Sequence, residues 1–212
     1  MTDFTRDLIA RIRHQGPLTI AEYMAEALLN PQHGYYATRD PLGAAGDFTT
    51  APEISQMFGE MIGLSLAQSW LDQGAPAPIA LVEAGPGRGT LMADILRATK
   101  AVPGFHAALT VHLIEASPVL RDKQRDLLGD TPVWHDTLET LPDLPIFLVA
   151  NEFLDALPIR QFLRVDTGWA ERQVGVQDDV LVFGQGPAGA QPALEHRLED
   201  TTPGDLVEIC PA

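Results

Sequence analysis

The stretch Leu81-Val-Glu-Ala-Gly-Pro-Gly-Arg-Gly-Thr-Leu91 constrains the fold more than any other part of this sequence. An apolar run leads into three closely spaced glycines, and residues with helical periodicity follow them. This order predicts a strand, a tight turn and a helix, which direct backbone N–H groups and a helix N-terminus at one point. The sequence therefore predicts a binding site for a polar or anionic ligand group at this turn.

Three classes of ligand compete for such a turn. A P-loop needs a Lys-Ser/Thr pair after its last glycine, and the sequence has none there. A dinucleotide fingerprint needs a third glycine at the position of Thr90, so a nicotinamide-dependent oxidoreductase is the least favoured hypothesis. The spacing Glu-x-Gly-x-Gly-x-Gly, formed by Glu83, Gly85, Gly87 and Gly89, is typical of turns that bind S-adenosylmethionine.

Two further acids lie where this cofactor needs them. Glu115 is the last residue of the apolar run 109–115. An acid at the end of that strand accepts hydrogen bonds from the two ribose hydroxyls of the cofactor. Asp136 follows the run 131–134 and is placed for the adenine amino group. A glycine-rich turn alone could be an ordinary strand–helix connection, but the acids in this order favour the cofactor.

The chain around the turn has the pattern of an α/β protein. Short apolar runs alternate with helical stretches, as in a parallel sheet with crossover helices. The predicted strands are 79–83, 109–115, 131–134 and 145–150, and the predicted helices are 90–99 and 118–128. The expected fold class is a doubly wound, Rossmann-like sheet of the class I methyltransferase type. A period of two then predicts a β-meander over 159–184 and a last strand over 205–210.

The first part of the chain reads as helical. Residues 5–14 form one predicted helix, and Thr19 with Glu22 forms a capping box that opens a second helix. A long loop over 32–47 follows.

One long helix is predicted from Thr50 to the glycine at 74, with Ile54, Met57, Phe58, Met61 and Ile62 on one face. Its Gly59 and Gly63 would let another backbone approach closely. Proline and glycine at 74–78 suggest a boundary, so we expect a helical region over 1–75 and a cofactor-binding α/β domain over 76–212.

Composition excludes several classes of partner. The chain carries 29 acidic and 14 basic side chains, a net charge of −15, and only two lysines. No basic surface for nucleic acid can be built from these residues. No apolar run is long enough to span a membrane, so no membrane partner is expected.

The N-terminus mixes charges of both signs with apolar residues, which predicts a cytoplasmic protein. Cys210 is the single cysteine, so no intramolecular disulfide and no multi-cysteine metal site are expected.

Three long blocks identify a resemblance to a known family. The segments 46–60, 83–90 and 150–158, preceded by His33-Gly-Tyr-Tyr36, resemble the signature blocks of the MidA family in the family's own order. The resemblance implies an S-adenosylmethionine-dependent methyltransferase. The mitochondrial members of this family act as complex I assembly factors by dimethylating an arginine of a complex I subunit. It covers the whole chain but only the first part of the family's usual length, which implies a truncated, incomplete sheet.

The resemblance also implies roles for the helical region. That region would lid the cofactor, with Asp47 available to the amino group of the methyl donor and Glu53 facing the acceptor. A capping role alone would also explain Glu53. His33, Tyr35 and Tyr36 would line an acceptor channel or pack on one another. With the turn and the two acids above, the candidate cofactor-binding residues are Asp47, Glu83, Gly85, Pro86, Gly87, Gly89, Glu115 and Asp136.

An arginine acceptor needs a carboxylate, since a guanidinium with a pKa above ~12 must be held and must lose a proton. Asn151 and Glu152 follow the fourth parallel strand, at the sheet edge where such folds bind ligands. We therefore expect Glu152 to act as clamp or base and Asn151 to orient the acceptor nitrogen or the donor amine. Glu152 and Asp155 could instead be helix N-terminal acids.

Two functions remain in view. The first is methyl transfer to an arginine of a protein acceptor, such as a respiratory-complex subunit. The second is a non-catalytic assembly or interaction protein that retains the cofactor fold. The sequence predicts no metal site and leaves the oligomeric state open. His112 and His135 read as ordinary sheet histidines, and Cys210 as a small buried hydrophobe.

Overall fold

The structure, a computed structural model, describes residues 2–38 and 50–210. Its helices are α1 (Asp3–Gln15), α2 (Ile20–Leu29), α3 (Tyr35–Thr38), α4 (Ala51–Ile54), α5 (Gln56–Asp72), α6 (Thr90–Ala98), α7 (Phe105–Ala108) and α8 (Pro118–Leu128). Its strands are β1 (Leu18–Thr19), β2 (Ile79–Ala84), β3 (Leu109–Ile114), β4 (Pro132–His135), β5 (Ile146–Ala150), β6 (Arg160–Val165), β7 (Gly168–Gln177), β8 (Val180–Gly189) and β9 (Leu206–Ile209).

The described residues divide into two compact units. One unit comprises those within Met1–Thr38 and Ala156–Ala212, and the other comprises those within Arg39–Asp155. The sequence placed a single division at residue 75. The structure instead groups the first helices with the meander, and groups α4 and α5 with the glycine-rich turn.

The unit within Arg39–Asp155 is built on a parallel sheet. Its strand order is β4-β3-β2-β5, and every neighbouring pair runs parallel. The predicted class of fold is therefore confirmed. All six residues of β2 are buried, because this strand lies inside the sheet, where parallel strands are covered on both faces.

One face of this sheet packs against α5 and α6. Leu81 of β2, Met92 and Ile95 of α6 and Trp70 of α5 share one apolar core. The close approach predicted for the glycines is present: a Cβ on Gly63 would lie 2.9 Å from the Cα of Ile95. The two helices therefore meet nearly backbone to backbone.

The single long helix predicted after Thr50 is wrong. Ser55, with φ −147° and ψ 119°, is extended and separates α4 from α5. Ile54, Met57 and Met61 are exposed, whereas Phe58 and Ile62 pack on the core, so these five side chains do not share one face. Serine suits a position between two helices because it favours helix ends over helix interiors.

The other unit is an antiparallel sheet with helices. Its strand order is β1-β7-β6-β9, and β8 also pairs with β7. The meander was predicted correctly, and the last strand joins this sheet through β6. The predicted capping box is also present, since the Thr19 side chain accepts from the backbone N–H of Glu22 while the Glu22 side chain accepts from that of Thr19.

The core of this unit joins the chain's two distant parts. Leu8 and Ile12 of α1 pack with Leu18, Ile20 and Val174. Arg160 of β6 donates from two nitrogens to both carboxylate oxygens of Glu171 on β7, at 2.7 and 2.8 Å. Such bidentate, charge-assisted hydrogen bonds are stronger and more specific than neutral ones.

Three further observations concern polar and apolar groups. Cys210 is exposed, so its interpretation as a buried hydrophobe is wrong. Across residues 2–38 and 50–210, no helix combines the length and the apolar character needed to cross a membrane. The same ranges hold no cluster of three or more side chains suited to a metal ion.

Candidate functional site

The four parallel strands end in mutual register. Ala84 at the end of β2 pairs with Ile114 of β3 and with Ala150 of β5, and Ile114 pairs in turn with His135 of β4. The residues that immediately follow these four are Gly85, Glu115, Asp136 and Asn151. Four predicted site positions therefore start from one edge of the sheet, where open α/β sheets bind ligands.

The turn after β2 has the backbone conformation that its glycines allow. Gly85, Gly87 and Gly89 have φ values of +65°, +56° and +87°, in a region that side chains rarely adopt. Gly89 caps α6, and its N–H donates to the carbonyl of Pro86 at 2.8 Å. At the N-terminus of this nine-residue helix, the backbone N–H groups of the glycines are therefore not covered by side chains of their own. Such a helix N-terminus suits a polar ligand group.

Gly85 also lets the segment after β5 close on the turn. A Cβ on Gly85 would lie 2.5 Å from Cδ2 of Phe153, closer than real side chains approach. The Phe153 ring packs with the apolar residues of β2 and β3 on the sheet face opposite α6. The absent Gly85 side chain therefore brings the Asn151–Phe153 segment against the glycine-rich turn.

Glu83 is buried one residue before the end of β2. Its side chain is 2% exposed, and burial raises its pKa to about 8, although a hydrogen bond from the backbone of Met92 opposes the rise. Its Oε2 has no hydrogen-bond partner in the described part of the chain. A buried carboxyl with one unsatisfied oxygen is costly in a structural role, and a ligand donor would satisfy it.

Both carboxylate oxygens of Glu115 accept hydrogen bonds that hold the side chain in place. Oε1 accepts from the backbone N–H of Ser117 at 2.8 Å, and Oε2 accepts from Nε2 of Gln124 at 3.3 Å. Burial raises the pKa of Glu115, and these two hydrogen bonds counteract it. The carboxylate keeps acceptor capacity for further donors, such as ribose hydroxyls.

Asp136 is oriented by an arginine that the sequence interpretation missed. Arg121 of α8 donates from Nη2 to Oδ1 of Asp136 at 2.6 Å, and also to the backbone carbonyls of Glu115 and His135. The Asp136 side chain is 81% exposed, whereas that of Arg121 is 21% exposed. Arg121 thus ties the ends of β3 and β4 together and leaves Asp136 open to a ligand.

Gln124 is the second residue that the sequence interpretation missed. It is fully buried, and its Nε2 donates to the carbonyl of Gly87 at 2.7 Å as well as to Glu115. Its Oε1 accepts from the indole Nε1 of Trp134 at 2.8 Å. A signal was available, since Gln124 lies midway between Leu120 and Leu128 on the inward face of α8.

Glu53 reaches the glycine-rich turn from α4. Its Oε1 accepts a hydrogen bond from Oγ1 of Thr90, the first residue of α6, at 2.7 Å. The capping role that the sequence also allowed is not formed, because the Thr50 side chain makes no cap hydrogen bond. Glu53 is therefore a side chain of this site by position.

Glu152 follows β5 in a strained conformation. Its φ of +50° is left-handed, which costs a residue with a side chain ~1–2 kcal/mol. The side chains of Glu152 and Asp155 are exposed, and only a short 3₁₀ turn over Leu154–Ala156 follows, so neither acid lies at the start of an α-helix. Strain at a non-glycine residue is typical of functional sites.

Other residues singled out in the sequence have different surroundings. His112 and His135 are buried and bonded to each other, with 2.9 Å between Nδ1 and Nε2, and burial lowers the pKa of His112. Tyr35 and Tyr36 form an edge-to-face ring pair. His33 lies 3.4 Å from the carboxylate of Asp7. Asp47 lies outside the described residues.

The arrangement can be tested against an S-adenosyl cofactor. The turn offers side-chain-free backbone and a helix N-terminus, Glu115 offers a fixed carboxylate, and Asp136 offers an exposed one. Glu83 offers an unsatisfied buried oxygen at the start of the turn. The residues present fit a ligand with a polar tail, a ribose and an adenine, and they hold no lysine for a phosphate chain.

Comparisons with known proteins agree with this fit. Residues 61–212 match a protein family described as "Putative S-adenosyl-L-methionine-dependent methyltransferase". The protein arginine methyltransferase NDUFAF7, mitochondrial, of Homo sapiens is 38% identical over all of this chain and 54% of its own length. The protein of the same name from Xenopus laevis is 37% identical over 97% of this chain and 53% of its own length.

Solved structures give the same result. A COG1565 superfamily protein from Burkholderia thailandensis, crystallised with S-adenosyl-homocysteine, superposes with a TM-score of 0.76 at 29% identity, over 99% of this chain and 56% of that one. A second crystal structure from that organism superposes with a TM-score of 0.71 at 30% identity, over 99% of this chain and 55% of that one. The chain spans about half the length of the curated relatives it matches.

Proposed function

We propose, since the chain belongs to the MidA family of S-adenosyl-L-methionine-dependent methyltransferases, that it transfers methyl groups from this cofactor to an arginine of a protein acceptor. The cofactor follows from the family, whereas the acceptor is the proposal. Support for an arginine comes from two relatives that are named protein arginine methyltransferases and match over nearly the whole chain.

The register of the four strand ends carries the proposal. Ala84, Ile114, His135 and Ala150 are paired across the sheet, so the glycine-rich turn, Glu115, Asp136 and Asn151 leave one edge side by side. The first three suit the cofactor. Asn151 and Glu152 are next to the turn through the contact of Phe153 with Gly85, which suits the acceptor.

In this proposal the chain's own residues bind the acceptor guanidinium and remove a proton from it. When bound, the cofactor supplies an electrophilic methyl group on a sulfonium. Glu152, an exposed acid, binds the acceptor guanidinium and takes a proton from the nitrogen that is methylated. Asn151 orients that nitrogen through its side-chain amide. A guanidinium keeps its proton at neutral pH, so positioning against a carboxylate is the main requirement.

The charge of the molecule favours the same acceptor. With a net charge of −15, the chain attracts cationic segments over distances longer than a contact. An arginine-bearing segment gains in encounter rate from this field, and salt weakens the gain. The charge therefore supports a basic acceptor segment without identifying it.

The test is methylation of proteins from cells that lack this protein's gene. Extracts would be incubated with the protein and methyl-labelled S-adenosyl-L-methionine, and mass spectrometry would locate the label. We expect label on arginine guanidinium nitrogens, and a rate at least ~100-fold lower with Glu152→Gln. Asp155→Asn is the matched control, since it makes the same change on an exposed acid three residues away.

Two results would overturn the proposal. Label on another residue type would refute the arginine acceptor while leaving the methyltransferase activity in place. Tight binding of S-adenosylhomocysteine with no labelled protein in any extract would favour the non-catalytic assembly protein instead.

A further inference from the structure

Gln124 joins three parts of the cofactor site through one buried amide. Its Nε2 donates to the carbonyl of Gly87 in the turn and to Oε2 of Glu115 after β3, at 2.7 and 3.3 Å. Its Oε1 accepts from Nε1 of Trp134 in β4, at 2.8 Å. Its exposed surface is 0%, so these groups take the place of water for the amide.

The orientation of this amide follows from the chemistry of its partners. An indole N–H only donates, while a backbone carbonyl and an ionised carboxylate only accept. A flipped amide would set its NH₂ against the N–H of Trp134 and its oxygen against two acceptors. Both hydrogens of Nε2 are therefore committed, one to Gly87 and one to Glu115.

Side-chain packing of α8 on the turn reinforces this contact. A Cβ on Gly89 would lie 3.4 Å from Cγ of Gln124 and 3.2 Å from Cδ1 of Leu128. The turn and α8 therefore pack together closely at the residue that makes the hydrogen bonds. Movement of the turn would be transmitted to Gln124 and through it to Glu115.

We infer that Gln124 is a positioning residue that couples the glycine-rich turn to Glu115 and fixes the Glu115 carboxylate for the ribose hydroxyls of the cofactor. This inference rests on the cofactor assignment and not on the identity of the acceptor. Ser117 holds the other carboxylate oxygen at 2.8 Å, so the two contacts together set the plane of the carboxylate. Neither contact involves the ligand, so both are in place before it binds.

The inference predicts a coupling between this residue and one part of the ligand. Gln124→Leu keeps the size of the side chain and removes its three hydrogen bonds, including the one to the Glu115 carboxylate. We expect S-adenosylhomocysteine to bind ~10–100-fold more weakly to Gln124→Leu than to the unchanged protein. An analogue without the two ribose hydroxyls should lose less than ~3-fold, because it does not use Glu115.

The measurement is calorimetric titration of both ligands into the unchanged protein, Gln124→Leu, Glu115→Gln and the double variant. The double variant should bind S-adenosylhomocysteine no more weakly than the weaker single variant. Leu128→Ala is the matched control on the same helix, and should weaken both ligands equally. Equal losses of both ligands with Gln124→Leu, or additive losses in the double variant, would overturn the inference.

A second variant keeps the test decisive if Gln124→Leu does not fold. Gln124→Glu preserves the shape, and its protonated carboxyl can still donate to one acceptor. Its affinity for S-adenosylhomocysteine should fall as pH rises, because two ionised carboxylates would then face each other. A flat pH profile, parallel to that of the unchanged protein, would refute the coupling. If the unchanged protein binds but methylates nothing, the proposed function fails and the inference stands.

Discussion

Glu83 shows how one buried acid makes the stability of the cofactor site depend on pH. Burial raises its pKa to about 8, so it stays protonated in the folded protein at neutral pH and ionises when the chain unfolds. A raised pKa in the folded state stabilises the fold fully below the ordinary value of 4.5, and this contribution is lost as pH rises through about 8.

The prediction is made for the ligand-free protein. Between pH 5 and pH 8.5, roughly, the free energy of unfolding should fall by on the order of 3–5 kcal/mol more in the unchanged protein than in Glu83→Gln. Urea unfolding at a series of pH values measures both, and the difference between them cancels other titrating groups. Parallel curves for the two proteins would show that Glu83 is ionised when folded.

Site residues at strand ends were accessible from the sequence, whereas those reached through a helix were not. Glu115 and Asp136 follow apolar runs that are visible as strands, so their place at the sheet edge could be predicted. Arg121 and Gln124 lie on α8, where the spacing from Leu120 and Leu128 places Gln124 on the inward face but indicates no partner for either residue. Only the contacts to Asp136, Glu115 and Gly87 distinguish them, and those contacts come from tertiary structure.

At the scale of elements, α5 packs closely on α6 because Gly59 and Gly63 carry no side chains. A Cβ on Gly63 would meet Cα, O and C of Ile95 at 2.9, 3.1 and 3.4 Å, and backbone atoms cannot rotate away. We expect Gly63→Ala to lower the free energy of unfolding by about 1–3 kcal/mol, even though alanine favours a helix over glycine. Thermal or urea unfolding measures the change.

The matched control for this pair of helices is Ser65→Ala. Ser65 lies on the exposed side of α5, two residues away, so a smaller increase in helix propensity should be neutral or slightly stabilising there. If Gly63→Ala were as stable as Ser65→Ala, the helices would have room to separate, and the close approach would not be required.

For these same helices, the sequence predicted the close packing but not the break in the helix. The spacing of Gly59 and Gly63 predicted the close approach of another backbone, and the structure confirms it at Gly63. The interruption at Ser55 was missed, because proline and glutamate in the first turn and the apolar spacing beyond it fit one continuous helix. Periodicity reports which residues are apolar but not whether one backbone residue leaves the helical region.

For the whole molecule, the division into two compact units makes a prediction about ligand binding. Every cofactor contact proposed above falls within Arg39–Asp155. Saturating S-adenosylhomocysteine should therefore slow amide hydrogen exchange in β2, β3 and the first turn of α6, since a ligand that binds only the folded state opposes local opening. Exchange measured by mass spectrometry should change little in β6, β7 and β9.

The internal control for this measurement is the antiparallel sheet itself. Equal protection in β6, β7 and β9 would show that the ligand stabilises the two units together, against the prediction. Protection in those strands alone would refute the site.

The grouping of the first helices with the meander could not be predicted from the sequence. Leu18 pairs with Val174 across 156 residues of chain, and both pack with Leu8 and Ile12. A two-residue strand has too little pattern to be recognised, and nothing local specifies so distant a partner. The proline- and glycine-rich stretch at 74–78 looked like a boundary, yet α5 before it and β2 after it share one core.

The register of the four strand ends also determines where this chain can change length during evolution. One residue inserted within β2 or β3 would turn the remaining side chains to the other face of the sheet and displace Gly85 or Glu115 from its neighbours. The segment between α6 and β3 enters the sheet at the opposite edge, where an added residue leaves these four positions unmoved. Insertions and deletions among homologues should therefore collect at the amino ends of the strands and be rare at their carboxyl ends.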